Sequence, residues 1–354
     1  MTLTRLLALF VAVGAACGPS APDLDSPSRF PATPLRGTAS PPATPALTTA
    51  PSGTPDVAAV KLVEFPVGPG QGPHDVAPAT DGGVWYTAQR TGELGYLDPK
   101  TGQTRMVKLG SGSAPHGVIL GPDGNPWITD GGLNAIVRVD ARTNEVTRFP
   151  LAGPNVNLNT ATFDKNGTLW LTGQSGYYGY LKEGRVTVQP APGGQGPYGI
   201  SACPNGNVYY ASLAASYIGA INLSSATVAT VDPPTKGQGA RRVWCDSRSN
   251  VWVSEWNAGQ LAQFQTETGH TSWREWKVPG ANPMPYAVYV DDQDIVWLTD
   301  FGANAIVRFD PRTEKFTSYP HAQPNAAVRQ LLGRPGEVWG AMSGQDKLLL
   351  IRTR

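Results

Sequence analysis

Charge of one sign is what this chain most clearly lacks. Its 28 Lys and Arg stand against 27 Asp and Glu, a net charge of +1, so there is no basic field to attract nucleic acid. No stretch reaches the roughly 18 consecutive apolar residues that a membrane-spanning helix needs. Little of the chain reads as amphipathic helix. The signatures G-x-S-x-G and H-E-x-x-H are missing, as is a phosphate-binding loop, which removes the commonest hydrolase, zinc-protease and nucleotidase readings. Cysteine is scarce: Cys17, Cys203 and Cys245 are the only three in 354 residues.

Glycine (41) and proline (33) are plentiful, and charged residues make up 16%. Short β-branched and aromatic runs alternate with Gly, Asn, Asp and Pro. This argues for an all-β fold with many tight turns. The first twenty residues, "MTLTRLLALFVAVGAACGPS", place Arg5 before the apolar run 6–16 and then Cys17. The run is too short to span a bilayer and reads as a secretory signal over residues 1–17. Ala15-Ala16-Cys17-Gly18 has the form of a bacterial lipoprotein cleavage site, with Gly14 in the place where Leu or Val is usual. The expectation is a lipidated Cys17, with plain secretion as the alternative. Residues 18–58 are rich in Pro, Ser, Thr and Ala and poor in apolar bulk. They are expected to be a disordered tether, followed by the folded domain over 59–354.

Two neighbouring stretches nearly repeat each other: "QGPHDVAPATDGGVWYTAQR" and "SAPHGVILGPDGNPWITDGG". The aromatic that closes each of these hairpins recurs at Trp85, Trp127, Trp170, Tyr209, Trp252, Trp297 and Trp339, at intervals of 42, 43, 39, 43, 45 and 42. Seven units of this length with several short strands each predict a seven-bladed β-propeller of four-stranded antiparallel blades. The seventh unit ends at "DKLLLIRTR" without a fourth strand, while "KLVEFP" at 61–66 resembles the outer strand "VTRFPL". The N-terminal strand should therefore complete the last blade and close the ring. The seven repeat aromatics should pack between blades.

Eleven residues before each repeat aromatic stand His74, His116, Asn159, Tyr198, Arg241 and Tyr286; a shorter turn makes Arg329 the seventh. Three residues after the aromatics stand Ala88, Asp130, Gly173, Ser212, Glu255, Asp300 and Met342. The inner two strands form a hairpin, so both sets should gather at one mouth of the central channel. Such a convergence of polar groups is where ligands bind. The expected ligand-binding set is Asn159, Tyr198, Arg241, Glu255, Tyr286, Asp300 and Arg329. His74, His116 and Asp130 are the candidate catalytic or metal-holding trio, a base with an orienting carboxylate. Against this, Arg241 could simply pair with Glu255, and His116 with Asp130. His270 and His321 are expected at the solvent-exposed periphery. Cys203 and Cys245 fall on inner strands of consecutive blades. A disulfide is permitted there, but two buried thiols are the expectation.

The units "PHGVILGPDGNPWITDGGLNAIVRV", "RRVWCDSRSNVWVSEWNAGQLAQF" and "PYAVYVDDQDIVWLTDFGANAIVRF" resemble those of the streptogramin B lyases, also called virginiamycin B lyases, over the whole of 61–354. The resemblance implies a seven-bladed propeller. It also implies enzymes that linearise a cyclic depsipeptide by elimination across its ester bond, using Mg2+, a histidine base and glutamates of the last two blades. At the matching positions this chain has Pro285-Tyr286, Ala327, Val328-Arg329 and Ser343, while its Pro-His pairs lie in blades 1 and 2. The expectation is therefore an exported, lipid-anchored, monomeric propeller binding a peptide- or glycan-like ligand at the mouth. Its rivals are a metal-dependent carbon–oxygen lyase and a protein-interaction scaffold. Membrane contact is expected only through the anchor.

Overall fold

The computed structural model describes residues 60–266 and 272–354. The expected signal and tether segments, with Cys17, and His270 lie outside the described residues. Among those described there are twenty-eight strands and no helix, arranged as seven separate four-stranded antiparallel sheets. Six blades run through the sequence in simple meander order. The seventh joins Lys61–Pro66 to the edge of Lys347–Arg352, with Lys61 opposite Arg352 and Pro66 opposite Lys347. The ring is thus closed by pairing the two ends of the domain, which covers what would otherwise be the open edge of Lys347–Arg352.

Turn chemistry explains why each repeat aromatic sits where it does. In blade 3, one carboxylate, Asp164, accepts the amides of Asn166 (2.8 Å) and Thr168 (3.0 Å) and the indole N–H of Trp170 (2.9 Å). Asp246 does the same for Trp252, and Asp291 for Trp297. A charged acceptor that holds the turn and the aromatic together gives stronger bonds than neutral pairs would. Six of the seven repeat aromatics are buried. Trp127 is the exception. It is half-buried and stacks on Phe149 with ring centroids 5.6 Å apart. The short two-residue hairpin that joins Tyr177–Lys182 to Arg185–Pro190 in blade 3 leaves it uncovered.

Each inner strand carries a register shift just after its first residue: between Pro73 and Val76, Pro115 and Gly117, Leu158 and Ala161, Pro197 and Ile200, Ala240 and Arg242, Pro285 and Val288, and Val328 and Leu331. These are β-bulges, which re-aim side chains and free a backbone N–H and C=O from the ladder. A hydroxyl two residues after the repeat aromatic takes up those freed groups. Thr87 Oγ1 accepts the Asp75 amide (2.9 Å) and donates to the His116 carbonyl of the next blade (2.8 Å). Thr129 bridges the Gly117 amide and the Asn159 carbonyl, Thr172 the Thr160 amide and the Tyr198 carbonyl, and Ser254 the Arg242 amide and the Tyr286 carbonyl.

Two expectations are corrected. Cys203 and Cys245 form a disulfide between blades 4 and 5. Cys203 stands six residues before Tyr209, where other blades place the indole-holding Asp. A tyrosine has no indole N–H to satisfy, so that position is open to another residue. His321 is buried, 9% exposed, because the linker after Lys315–Pro320 folds under the seventh blade, and its amide bonds the Asn304 carbonyl.

The hydroxyl bridges give a direct expectation. Thr129→Val keeps the shape but strands a buried amide and a buried carbonyl, so it should cost roughly 1–3 kcal/mol. Denaturant titration would show this, and an unchanged midpoint would refute it. Reduction of the Cys203–Cys245 bond, which closes a 42-residue loop, should cost roughly 2–4 kcal/mol by the same measurement.

Candidate functional site

The bulges line the mouth with two stacked rings of side chains. The upper ring is the one the repeat spacing identifies: His74, His116, Asn159, Tyr198, Arg241, Tyr286 and Arg329. The facing strand ends pair as expected, Pro73 with Ala88, Pro115 with Asp130, Ala240 with Glu255, Pro285 with Asp300, and Val328 with Met342. In a regular strand the next residue would point the other way. Here the bulge turns it into the channel as well, forming a lower ring that includes Asp75, Thr160, Arg242 and Gln330. Repeat counting alone misses this ring. The signal for it was a polar residue directly after the counted position, followed at Asp75, Thr160 and Arg242 by a Thr or Ser twelve residues further on.

The two rings are wired together. Arg242 Nη1 donates to Thr160 Oγ1 (2.6 Å), which donates to Asn159 Oδ1 (2.5 Å), and Asn159 Nδ2 lies 3.2 Å from His116 Nε2. An amide NH2 can only donate, so His116 Nε2 is an acceptor and its proton resides on Nδ1. His74 Nδ1 donates to Asp75 Oδ1 (2.8 Å), and Arg242 Nη2 lies 3.4 Å from the same oxygen. The imidazoles of His74 and His116 are 3.9 Å apart between ring centroids. Burial acts to raise the Asp75 carboxyl, but the Arg242 charge and the two histidines outweigh it and hold the group below the ordinary carboxylate range. Arg242 can lie across the channel because residue 199 is Gly: a Cβ there would come within 2.7 Å of the Arg242 backbone and 2.8 Å of its Cδ. Thr160, Arg242 and Gln330 border a small void of about 20 Å³.

On the other side of the mouth Arg241, 1% exposed, sits in an aromatic box. Its guanidinium carbon is 3.8 Å from the Tyr286 ring centroid, 4.5 Å from Tyr198 and 4.6 Å from Trp256. Arg241 Nη2 also donates to the Tyr198 hydroxyl (2.8 Å), and the Tyr198 and Tyr286 hydroxyls are 2.6 Å apart. Tyr286 stacks on Phe301, with centroids 4.9 Å apart.

The acidic candidates are engaged in supporting roles. Asp130 accepts from Ser113 Oγ (2.5 Å) and from the amides of Ala114 and Leu133. The carboxylate gathered with the two histidines is Asp75: His74, Asp75 and His116 form the cluster whose ligand atoms lie within 4.8 Å of one another. Asp300 holds the Met284 and Gly302 amides. Glu255 accepts from Gln260 Nε2 (2.6 Å), and burial pushes its carboxyl up to about 8.

The histidine cluster does not suit Mg2+. That ion demands near-octahedral oxygen ligands and keeps several waters. The cluster offers two imidazoles and one carboxylate, all buried, with a guanidinium already 3.4 Å from that carboxylate.

A closed seven-bladed propeller with a polar channel mouth is the class of protein that this fold and site define. The model of the virginiamycin B lyase family matches residues 56–274, and the chain belongs to that family. Among solved structures it is similar to a streptogramin B lyase at 22% identity, with a TM-score of 0.76, covering 83% of this chain and 97% of that one. A catalytically inactive Staphylococcus aureus virginiamycin B lyase solved with quinupristin matches at 21% identity and a TM-score of 0.77, covering 83% and 99%. The extracellular domain of a two-component system protein from B. thetaiotaomicron matches at 16% and 0.66, covering 83% and 43%. At these identities the likeness is one of fold. No curated protein matches the chain.

Glu255 supplies a pH test. A carboxyl whose folded value lies above its unfolded one stabilises the fold fully below the unfolded value, and that contribution is lost as pH rises through about 8. Glu255→Gln should therefore gain thermal stability relative to the parent at pH 9 and show little difference near pH 4. A melting-temperature difference that does not change between those pH values would contradict the assignment.

Proposed function

We propose that this protein is an exported, Cys17-anchored propeller that binds a polar, peptide- or glycan-like ligand at the mouth and leaves its bonds intact. The observation that carries this reading is the Arg241 box. Two aromatic hydroxyls and three rings hold a buried cation at the ligand end of the channel. A cation held there with its geometry preset favours a ligand that brings negative or carbonyl oxygens. The Cys203–Cys245 disulfide supports export, since such bonds persist in oxidising compartments. The extracellular location named for one structural neighbour agrees with it.

Family membership favours a second reading, elimination on a cyclic depsipeptide such as a streptogramin B. The side chains at the matching positions weigh against it: Tyr286, Ala327, Arg329 and Ser343 include neither a histidine base nor a carboxylate. The His74–Asp75–His116 cluster is wired to Arg242 and closed in by its neighbours.

The experiment pairs two assays. Soluble peptidoglycan stem peptides should be retained by the immobilised domain, and Arg241→Met should weaken retention at least about tenfold, the loss of one charge-assisted contact. Tyr286→Phe, which keeps the box, should weaken it less. A streptogramin B incubated with the protein and Mg2+ should remain cyclic. Linearisation that disappears in His116→Ala would establish the lyase reading instead. Retention indifferent to both mouth variants but sensitive to rim loops would point to a scaffold.

A further inference from the structure

A cavity of about 440 Å³ lies between blades 2 and 3. Strand Pro115–Leu120 runs from the mouth into the turn at 121–125, so this cavity opens on the face opposite the mouth. Trp127, Phe149 and Phe163 form its aromatic wall. Trp127 and Phe149 are parallel to within 14°, and Phe163 stands upright against Trp127 at 81°, with centroids 5.5 Å apart. The five other tryptophans at the repeat position are at most 2% exposed. Trp127 alone among them is half-buried.

The placement of Trp127 is built into its blade. In blades 3, 5 and 6 the indole is tied to a carboxylate six residues earlier, that of Asp164, Asp246 or Asp291. In blade 2 that position is Gly121, and the indole N–H goes instead to Asp123 Oδ1 (3.0 Å). A Cβ at 121 would come within 2.4 Å of Trp127 Nε1 and 2.5 Å of its Cδ1. The indole therefore fills room that only glycine leaves. With the short hairpin of blade 3 alongside, the ring is left as cavity wall.

The rim is polar. Asn166, Lys182 and Glu183 are exposed there, and Thr168 is half-buried. Lys182 and Glu183 are opposite in sign, and Asp123 is matched by Arg138 Nε (2.6 Å). The rim thus offers donors and acceptors whose charges balance. A wholly apolar ligand would strip these groups of water without replacing its bonds, and an ion would meet no field of opposite sign. A sugar ring with equatorial substituents meets both surfaces: its C–H face is apolar, and its hydroxyl edge donates and accepts. We infer that this cavity binds an uncharged, β-linked oligosaccharide through one such pyranose, its C–H face against Trp127 and its hydroxyls on Asn166, Thr168, Lys182 and Glu183. An aromatic wall with a few placed polar groups is the usual form of a small-ligand site. The cavity stands apart from the mouth, and the inference does not depend on what the mouth binds.

Isothermal titration with cellotetraose and with chitotetraose tests it. At least one should bind, and Trp127→Ala should weaken that binding about tenfold or more. Asn166→Ala should weaken it a few-fold, roughly the loss of one hydrogen bond. Asn166 is exposed, so its variant keeps the fold even where removal of the indole disturbs blade 2. Gly121→Ala, which puts a methyl group where the indole lies, should weaken the sugar as well. Failure of both sugars to bind, or binding indifferent to Trp127→Ala and Asn166→Ala alike, overturns the inference. Phosphatidylcholine vesicles that pull down the protein but not Trp127→Ala, with neither sugar bound, overturn it in favour of a membrane-docking face. Sugar binding lost in Arg241→Met but kept in Trp127→Ala would place the sugar in the mouth, sinking this inference and leaving the reading of the mouth intact.

Discussion

The hydroxyl that in four of the blades bridges the bulge to the next blade is the contact on which much of the architecture depends. A propeller brings seven sheet edges to one axis, and their innermost backbone groups are shut away from water. Each bulge frees an amide and a carbonyl there, and a buried backbone group left unpaired costs as much as a lost hydrogen bond. Thr87, Thr129, Thr172 and Ser254 satisfy one group in their own blade and one in the neighbour. The same bond therefore stabilises the bulge and sets the angular spacing of blades. Blades 4 and 7 have Ala211 and Ala341 at this position, and both of their forward seams carry another fastener. The Cys203–Cys245 disulfide crosses from blade 4 to blade 5. From blade 7 to blade 1, Gln330 Oε1 accepts the Val76 amide (3.0 Å), and Arg334 donates to the carbonyls of Ala79, Gly82 and Gly83.

Because that contact holds the bulges, it also makes the site. A regular strand would send one residue of each inner pair into the channel and the other into the blade. The bulge sends both inward, which adds Asp75, Thr160, Arg242 and Gln330 to the polar groups at the mouth. Arg241 and Arg242 show the consequence. They are adjacent in sequence, yet one enters the aromatic box and the other spans the channel to Asp75 and Thr160. Gly199 in the neighbouring blade gives Arg242 its room. The polar mouth is thus a product of one local irregularity repeated seven times.

The period was legible in the sequence because the physics behind it is local. The closing aromatic recurs because each blade solves the same packing problem, and in blades 3, 5 and 6 a turn carboxylate stands six residues before it and a hydroxyl two residues after it. Closure by Lys61–Pro66 was legible for the same reason, since an incomplete last unit and an orphan first strand complement each other. The upper ring followed from counting, down to Arg329 with its shortened turn. The lower ring did not, because alternation along a strand hides a bulge until the register is seen. Hence Asp130 looked like the partner of the histidines, whereas the bulge delivers Asp75 to them and Asp130 supports the loops before and after its hairpin. Nor does sequence say which way two cysteines on consecutive blades face, and so the disulfide escaped it. His321 looked peripheral because linkers usually are, but this one tucks beneath a closing strand.

The proposed non-catalytic reading turns on the sign of the charge placed at the mouth. An elimination needs a base whose lone pair faces substrate, together with something to stabilise the charge that develops on oxygen. In this chain His116 offers Nε2 to an amide, His74 is turned to Asp75, and Asp75 is neutralised by Arg242. Each potential proton acceptor of the first two blades is thus engaged by a neighbour within the wall. A side cavity between blades 6 and 7 is bordered by Asp300 and His321 as well as by the guanidiniums of Arg90 and Arg329, which stay protonated across the physiological range. A ring with this distribution of charge is suited to holding a ligand by its negative end, and the same fold with a carboxylate and a free imidazole at positions 327, 329 and 343 would be suited to breaking one.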